Sequence, residues 1–189
     1  MKHTTFFRAF NRKVIGMKMH IVTKVILYQV FFLVFHYLYD WFPGGFFYFL
    51  GATDESLFQH MKAGFYAYLF LVVVEYSLAH QAISSKARYL YARLFGASIL
   101  PLFMLTYFLA GPAIFVKIEN IPLEILFANL VLVATSGSTF LLEALIEKSE
   151  LSSVLKGMIV LLFTLTAMQC AIFNYRLPWF DVFAVPPGW

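Results

Sequence analysis

Five unbroken apolar runs, at about residues 21–42, 54–78, 89–111, 121–143 and 155–176, limit this chain more than any other feature. Each is long enough to cross a hydrocarbon core, which needs about 20 mostly apolar residues in a helix. Spanning strands would alternate apolar and polar side chains with period two, and these runs do not alternate. Lipid offers no partner for backbone N–H and C=O groups, so helices that satisfy their own backbone are the remaining solution. The expected class is all-α: a polytopic bundle of five transmembrane helices. Composition agrees, because 61% of the 189 residues are hydrophobic and only 13% charged, too few charges to cover a water-soluble domain of this length. Mean hydropathy is +0.78.

The runs divide the chain into a basic segment 1–20, a five-helix domain 21–176 and an aromatic, proline-rich tail 177–189. Segment 1–20 alternates Lys and Arg with Phe6, Phe7, Phe10, Val14 and Ile15. Such a pattern suits an orienting tail or an amphipathic helix on an anionic membrane surface. The first apolar run ends "HYLYDWFPGG" without a small-x-small cleavage pattern, so it is expected to stay as an anchor. Pro43-Gly44-Gly45 breaks the chain after it. Thr53 is placed to cap the second helix, with Asp54 and Glu55 in its first turn. Pro101 is expected to kink the third span, Pro112 to close it, and Pro122 to open the fourth.

Lysine and arginine predict the orientation. Lys2, Arg8, Arg12, Lys13, Lys18 and Lys24 precede the first span; Lys86, Arg88 and Arg93 flank the second turn, and Lys148 and Lys156 the fourth. The positive-inside rule then puts the N-terminus in the cytoplasm of a cell-membrane protein. The net charge of +4 is read as this topology signal, and no nucleic-acid motif accompanies it. The single cysteine, Cys170, lies in an apolar run and excludes an internal disulfide. No cofactor or oligomeric state is indicated.

The second run carries the chemistry. Lys62 and Glu75 bracket an uncharged stretch about 20 Å long at about 1.5 Å per residue. That is shorter than a hydrocarbon core of about 30 Å, so the two charges cannot both reach water at opposite surfaces. At least one must face protein or a wet cavity, which marks a candidate site. Glu55, Gln59, Lys62 and Tyr66 fall on one helical stripe, and Gln29, His36 and Asp40 form another on the first span. Facing these stripes together would make one outward polar pocket between spans one and two, reached also by Glu124 and Asn129. His36, Asp40, Glu55 and His60 are its candidate catalytic groups. Lys62, Tyr66, Glu75, Glu124 and Asn129 are its candidate ligand contacts, for a small or amphipathic molecule.

Acid–base chemistry is one reading of these groups, since carboxylates and imidazoles in protein can be tuned toward neutrality. Metal ligation is another; imidazole and carboxylate suit zinc. No HxxxH or HExxH motif is present and Lys62 would repel a cation, so no residue is assigned to a metal. Structural pairing, Glu55 with Lys62 and His36 with Asp40, is a third, and a carrier or proton-coupled permease a fourth. An accessory subunit is a further alternative. Glu75 could pair with Lys86 or Arg88 near the surface. Glu143, Glu147 and Glu150 read as a solvated helix end. Ser136-Gly137-Ser138 reads as a close helix contact.

The stretch "FHYLYDWFPGGFFYFLGATDESLFQHMKAGFYAYLFLVVVEY" resembles a family of unknown function made of small prokaryotic multi-pass membrane proteins. Its pattern, N-E-S-x-W-E-H-x-K with a later glutamate, is met by Glu55, Ser56, His60, Lys62 and Glu75, with His36 and Asp40 upstream. Asp54, Phe58 and Gln59 depart from it. The tail "FNYRLPWFDVFAVPPGW" is similar to that family's ending. The resemblance implies the fold and the place of the polar cluster, and no activity. "FHYLYDWF" also resembles the H-x-x-x-E-x-W stretch of the emopamil-binding sterol-isomerase superfamily, likewise of five spans. That likeness implies His36 and Asp40 as an acid–base pair for a lipid-like substrate. The spacing of Ser56 and His60 is similar to that of ceramidase-like membrane hydrolases, whose later histidine pair this chain lacks.

Overall fold

A computed structural model describes residues 19–115, 120–176, 178 and 181–185. Segment 1–18 and most of the tail 177–189 lie outside the described residues, and so do the expectations made for them. The chain runs through α1 (Ile21–Trp41), α2 (Gly45–Leu50), α3 (Leu57–Ala79), α4 (Lys86–Phe115), α5 (Ile121–Lys148) and α6 (Ser153–Ile172). One 3-10 turn, His80–Ala82, follows α3, and another covers Asp181–Phe183. There is no strand among the described residues. All helices but the six-residue α2 are long and apolar enough to span a membrane. The five-span, all-α architecture is therefore observed.

Local chemistry explains where the helices start. Ser56, not Thr53, caps α3: its Oγ accepts from Gln59 N at 3.4 Å. Asp54 is outside the helix because its Oδ1 accepts from Ser56 N at 2.8 Å, closing a side-chain turn that competes with helical pairing. Glu55 is thereby left in the loop. Asn120 and Ser152 cap α5 and α6 through side-chain oxygens 3.1 and 3.2 Å from Leu123 N and Leu155 N. Pro122 sits in the first turn of α5, where its missing N–H costs nothing. The third span is not closed by Pro112: α4 continues through Pro101 and past Pro112 to Phe115. Proline is tolerated inside membrane helices when neighbours hold them in place. Here α5 lies so close that a Cβ on Gly111 would enter the Phe127 ring.

α3 is the central helix. Its spanning stretch is 56% buried, against 11% for α6, which leans on the outside of the bundle. α1 packs on α3 and α5, while α4 packs on α3, α5 and α6. Tyr28, Phe65, Tyr68, Leu71, Leu100, Met104 and Phe140 fill the centre. The two faces of α1 are sharply different. Val22, Ile26, Val30 and Leu33 are exposed, as lipid-facing side chains would be. Lys24, Tyr28, Phe32 and His36, at spacings of four, are buried. This inner face carries a cation at one end and an imidazole at the other, and each belongs to a separate polar cluster.

Candidate functional site

At the Trp41 end of α1, three titratable groups from three segments meet. His36 comes from α1, Glu55 from the loop before α3, and His60 from the first turn of α3. His36 Nε2 is 3.5 Å from Glu55 Oε1, and His60 Nε2 is 3.4 Å from Glu55 Oε2. The two imidazole centroids are 4.8 Å apart, and both rings stack on Phe32. Close passage of the loop over α1 makes this possible. Ala52 N donates to Phe35 O at 3.3 Å, and a Cβ on Gly51 would stand 2.8 Å from Tyr39 N and 3.2 Å from Phe35 O. Only glycine permits that approach without moving backbone.

The tautomer of His60 is readable from its partner. Nδ1 lies 2.9 Å from the Ser56 carbonyl oxygen, which only accepts, so Nδ1 carries the proton and Nε2 faces Glu55. His36 Nδ1 is buried with no hydrogen-bond partner among the described residues. The hydrogen bond with His60, joined by the charges of both imidazoles, holds the Glu55 carboxyl below its ordinary range in spite of partial burial.

These groups form the polar end of a cavity of about 200 Å³. Glu124 and Asn129 of α5 also line it. Much of the remaining wall is apolar: Phe32 and Leu33 of α1, Met104 and Phe108 of α4, Ile125, Ala128, Val131 and Leu132 of α5. The amide of Asn129 is turned back on its own helix, its Nδ2 donating to Ile125 O at 2.7 Å.

The other expected site residues are elsewhere, so the single pocket drawn from the sequence divides into three places. Asp40 is exposed at the end of α1 and does not line the cavity. Glu55 is not helical, so it does not share a stripe with Lys62 and Tyr66. Lys62, two residues beyond His60, points about 200° away around α3. It is fully buried, and its Nζ donates to Asn174 Oδ1 at 2.8 Å and Tyr48 O at 3.1 Å. Tyr66 packs on Phe49 and Phe65. The expected pairs Glu55–Lys62 and His36–Asp40 are replaced by Glu55 with both imidazoles and Lys62 with an amide and a carbonyl.

Glu75 sits at the opposite end of the bundle in a buried ionic cluster. Arg93 donates to it through Nε at 2.8 Å and Nη2 at 3.1 Å, and Lys24 Nζ is 3.3 Å away. Lys24 also donates to Glu143 at 2.6 Å. Arg93 Nη1 is 3.3 Å from both Glu143 and Glu147, and the Tyr68 hydroxyl donates to Glu143. Glu75 thus pairs with Arg93 and Lys24, not with Lys86 or Arg88. Glu143 is only 1% exposed and is not a solvated helix end. Arg88 instead reaches Glu150 at the surface, at 2.9 Å. Reading Lys24 and Arg93 as flanking charges missed this cluster. The spacing of Lys24, Tyr28, Phe32 and His36 was the available signal, since it sets Lys24 on the same face as a suspected buried histidine.

Comparison of the chain with family models, curated proteins and solved structures finds no match.

Proposed function

We propose that the cavity at the His36 end binds an amphipathic molecule, with its apolar part along α1 and α5 and its polar end against Glu55 and the two imidazoles. The supporting observation is the convergence of His36, Glu55 and His60 on one end of a largely apolar cavity within a bundle of membrane-spanning helices. Pockets of small-molecule sites combine mostly apolar walls with a few convergent polar groups in this way. Glu55, held as an anion, can accept hydrogen bonds from a bound ligand, and an imidazole can exchange a proton with it. Asp40 lies outside the cavity lining, and its charge acts on His36 from there. Glu124 and Asn129 are polar contacts further along the wall. The resemblance to membrane proteins carrying the Glu55, Ser56 and His60 motif supports the same place for the site.

Lys86, Arg88, Lys148 and Lys156 belong to the end of the bundle that holds the ionic cluster. The positive-inside rule then opens the cavity to the outer face of a cell membrane, with the N-terminus in the cytoplasm. A carrier is the alternative with less support. Lys62 and Glu75 on one span are the groups a carrier would use, and the cavity lining includes neither. An accessory role has no specific contact in its favour.

A photoreactive probe with an alkyl chain and a hydroxyl head, able to donate to Glu55, tests the reading on the full-length protein in nanodiscs. Label should concentrate on peptides carrying Leu33 and Ile125. Ala128→Trp, which puts an indole into the cavity, should cut that labelling about tenfold, equivalent to about 1.4 kcal/mol. Labelling spread over all lipid-facing helices and indifferent to Ala128→Trp would reject the site.

A further inference from the structure

We propose that His36, Glu55 and His60 hold a divalent first-row transition-metal ion, zinc by the chemistry of the donors, with a coordination position left open to the cavity. Two imidazoles and a carboxylate form a donor set that open zinc sites use. The potential ligand atoms of the three side chains lie within 4.8 Å of one another.

The distances leave room for an ion between these groups. The nitrogen-to-oxygen separations are 3.5 and 3.4 Å. A charge-assisted hydrogen bond would draw such atoms to about 2.7–2.9 Å. Metal bonds of about 2.0–2.1 Å at a tetrahedral angle give ligand-to-ligand edges of roughly 3.3–3.4 Å. The two separations are close to such an edge but run to different oxygens of the Glu55 carboxylate, so an ion held by one of them draws the three ligands together from their present spread of up to 4.8 Å.

The surroundings agree. His60 Nδ1–H is committed to the Ser56 carbonyl at 2.9 Å, the outer contact that orients a metal-binding imidazole and leaves Nε2 its lone pair. Between that nitrogen and the carboxylate a positive charge is required, either a proton on Nε2 or a metal ion. The His36 ring is nine-tenths buried with its Nε2 toward Glu55, while its Nδ1 lacks among the described residues the outer partner that His60 has. The objection that Lys62 would repel a cation does not hold. Its ammonium is turned to Asn174 and Tyr48, away from the cavity lining. Magnesium and calcium are disfavoured because they take oxygen donors and two of these three are nitrogen.

The inference rests on reading this cavity as the functional site, but it is measured without an amphipathic ligand. Full-length protein in detergent is stripped with chelator and titrated with Co2+, whose visible ligand-field bands report nitrogen and oxygen donors at low coordination number. One ion per chain is expected, displaced by Zn2+ and unaffected by Mg2+. Glu55→Gln and His60→Asn should each weaken binding at least about a hundredfold, because loss of an outer-shell partner alone costs about 10–100-fold. Glu150→Gln, at the opposite end of the bundle, should bind as the unaltered chain does. Far-UV circular dichroism and gel filtration check that each variant folds. If both ligand variants unfold, the unaltered protein decides: Zn2+ but not Mg2+ must raise its unfolding temperature. No cobalt bands, or bands that survive in folded His60→Asn protein, would overturn the proposal. Photolabelling retained without metal binding rejects this inference alone. Loss of both rejects the cavity reading as well.

Discussion

Arg93→Met is expected to lower stability by about 3–5 kcal/mol, the usual cost of stranding buried charges by removing one partner. Arg93 is 4% exposed, and its guanidinium meets Glu75, Glu143 and Glu147. Without it, Glu75 on α3 and Glu143 on α5 keep Lys24 as a cation in contact, and Glu147 loses one partner. In a membrane interior such excess charge has few routes to water. Arg93→Lys should fall between, because an ammonium cannot reproduce the two-nitrogen contact with Glu75. Glu143→Gln should be milder than Arg93→Met. It leaves two cations facing two carboxylates, and the amide oxygen still accepts from Tyr68. Unfolding of the full-length protein in mixed micelles with rising anionic detergent measures all three. A loss under about 1 kcal/mol for Arg93→Met, the range of exposed ion pairs, would mean the cluster is open to water.

Asn174→Leu is expected to cost about 2–3 kcal/mol, since hydrogen bonds to charged groups are worth about 1.5–3 kcal/mol. Lys62 has no carboxylate in ion-pair contact among the described residues. Its charge is stabilised by the Asn174 amide oxygen and the Tyr48 carbonyl, and it lies 5.7 Å from the Tyr48 ring centre. Asn174 also donates from Nδ2 to Tyr48 O at 3.2 Å, and Tyr48 OH donates to the Asn174 carbonyl at 2.9 Å. The residue therefore ties the end of α6 to both α2 and α3. Removing the ammonium as well should relieve most of the loss. The double variant Lys62→Met/Asn174→Leu should be clearly more stable than the sum of the singles predicts. Additivity within about 0.5 kcal/mol would show that the two side chains are not coupled. The same unfolding assay reads the cycle.

Much of the bundle was legible because membrane helices follow a rule of length and polarity that needs no knowledge of neighbours. The spacing of Lys62 and Glu75 along one helix is likewise a local property, and both are buried, at 0% and 2% exposure. Partners were not legible in the same way. A lysine three residues into a first span looks the same in sequence whether it faces headgroups or an acid on α5. That Lys24 meets Glu143 depends on which helices adjoin. Glu55 shows the other limit. A helical period places it with Lys62, but the side-chain turn at Asp54 and the cap at Ser56 delay the helix until Leu57. That delay turns the carboxylate toward His36 and His60. The metal reading was disfavoured in the sequence because its ligands are scattered between a helix, a loop and a second helix, which no short motif describes.

The central claim is that α1 and the start of α3 bring residues 36 and 60 to one point, whatever occupies it. A cysteine pair tests it directly: His36→Cys with His60→Cys in a Cys170→Ala background, exposed to Cd2+ and then to a thiol-alkylating reagent. Adjacent thiolates should bind one Cd2+ together and resist alkylation far better than either single-cysteine variant. Equal, independent alkylation of the two cysteines with and without Cd2+ would contradict the account.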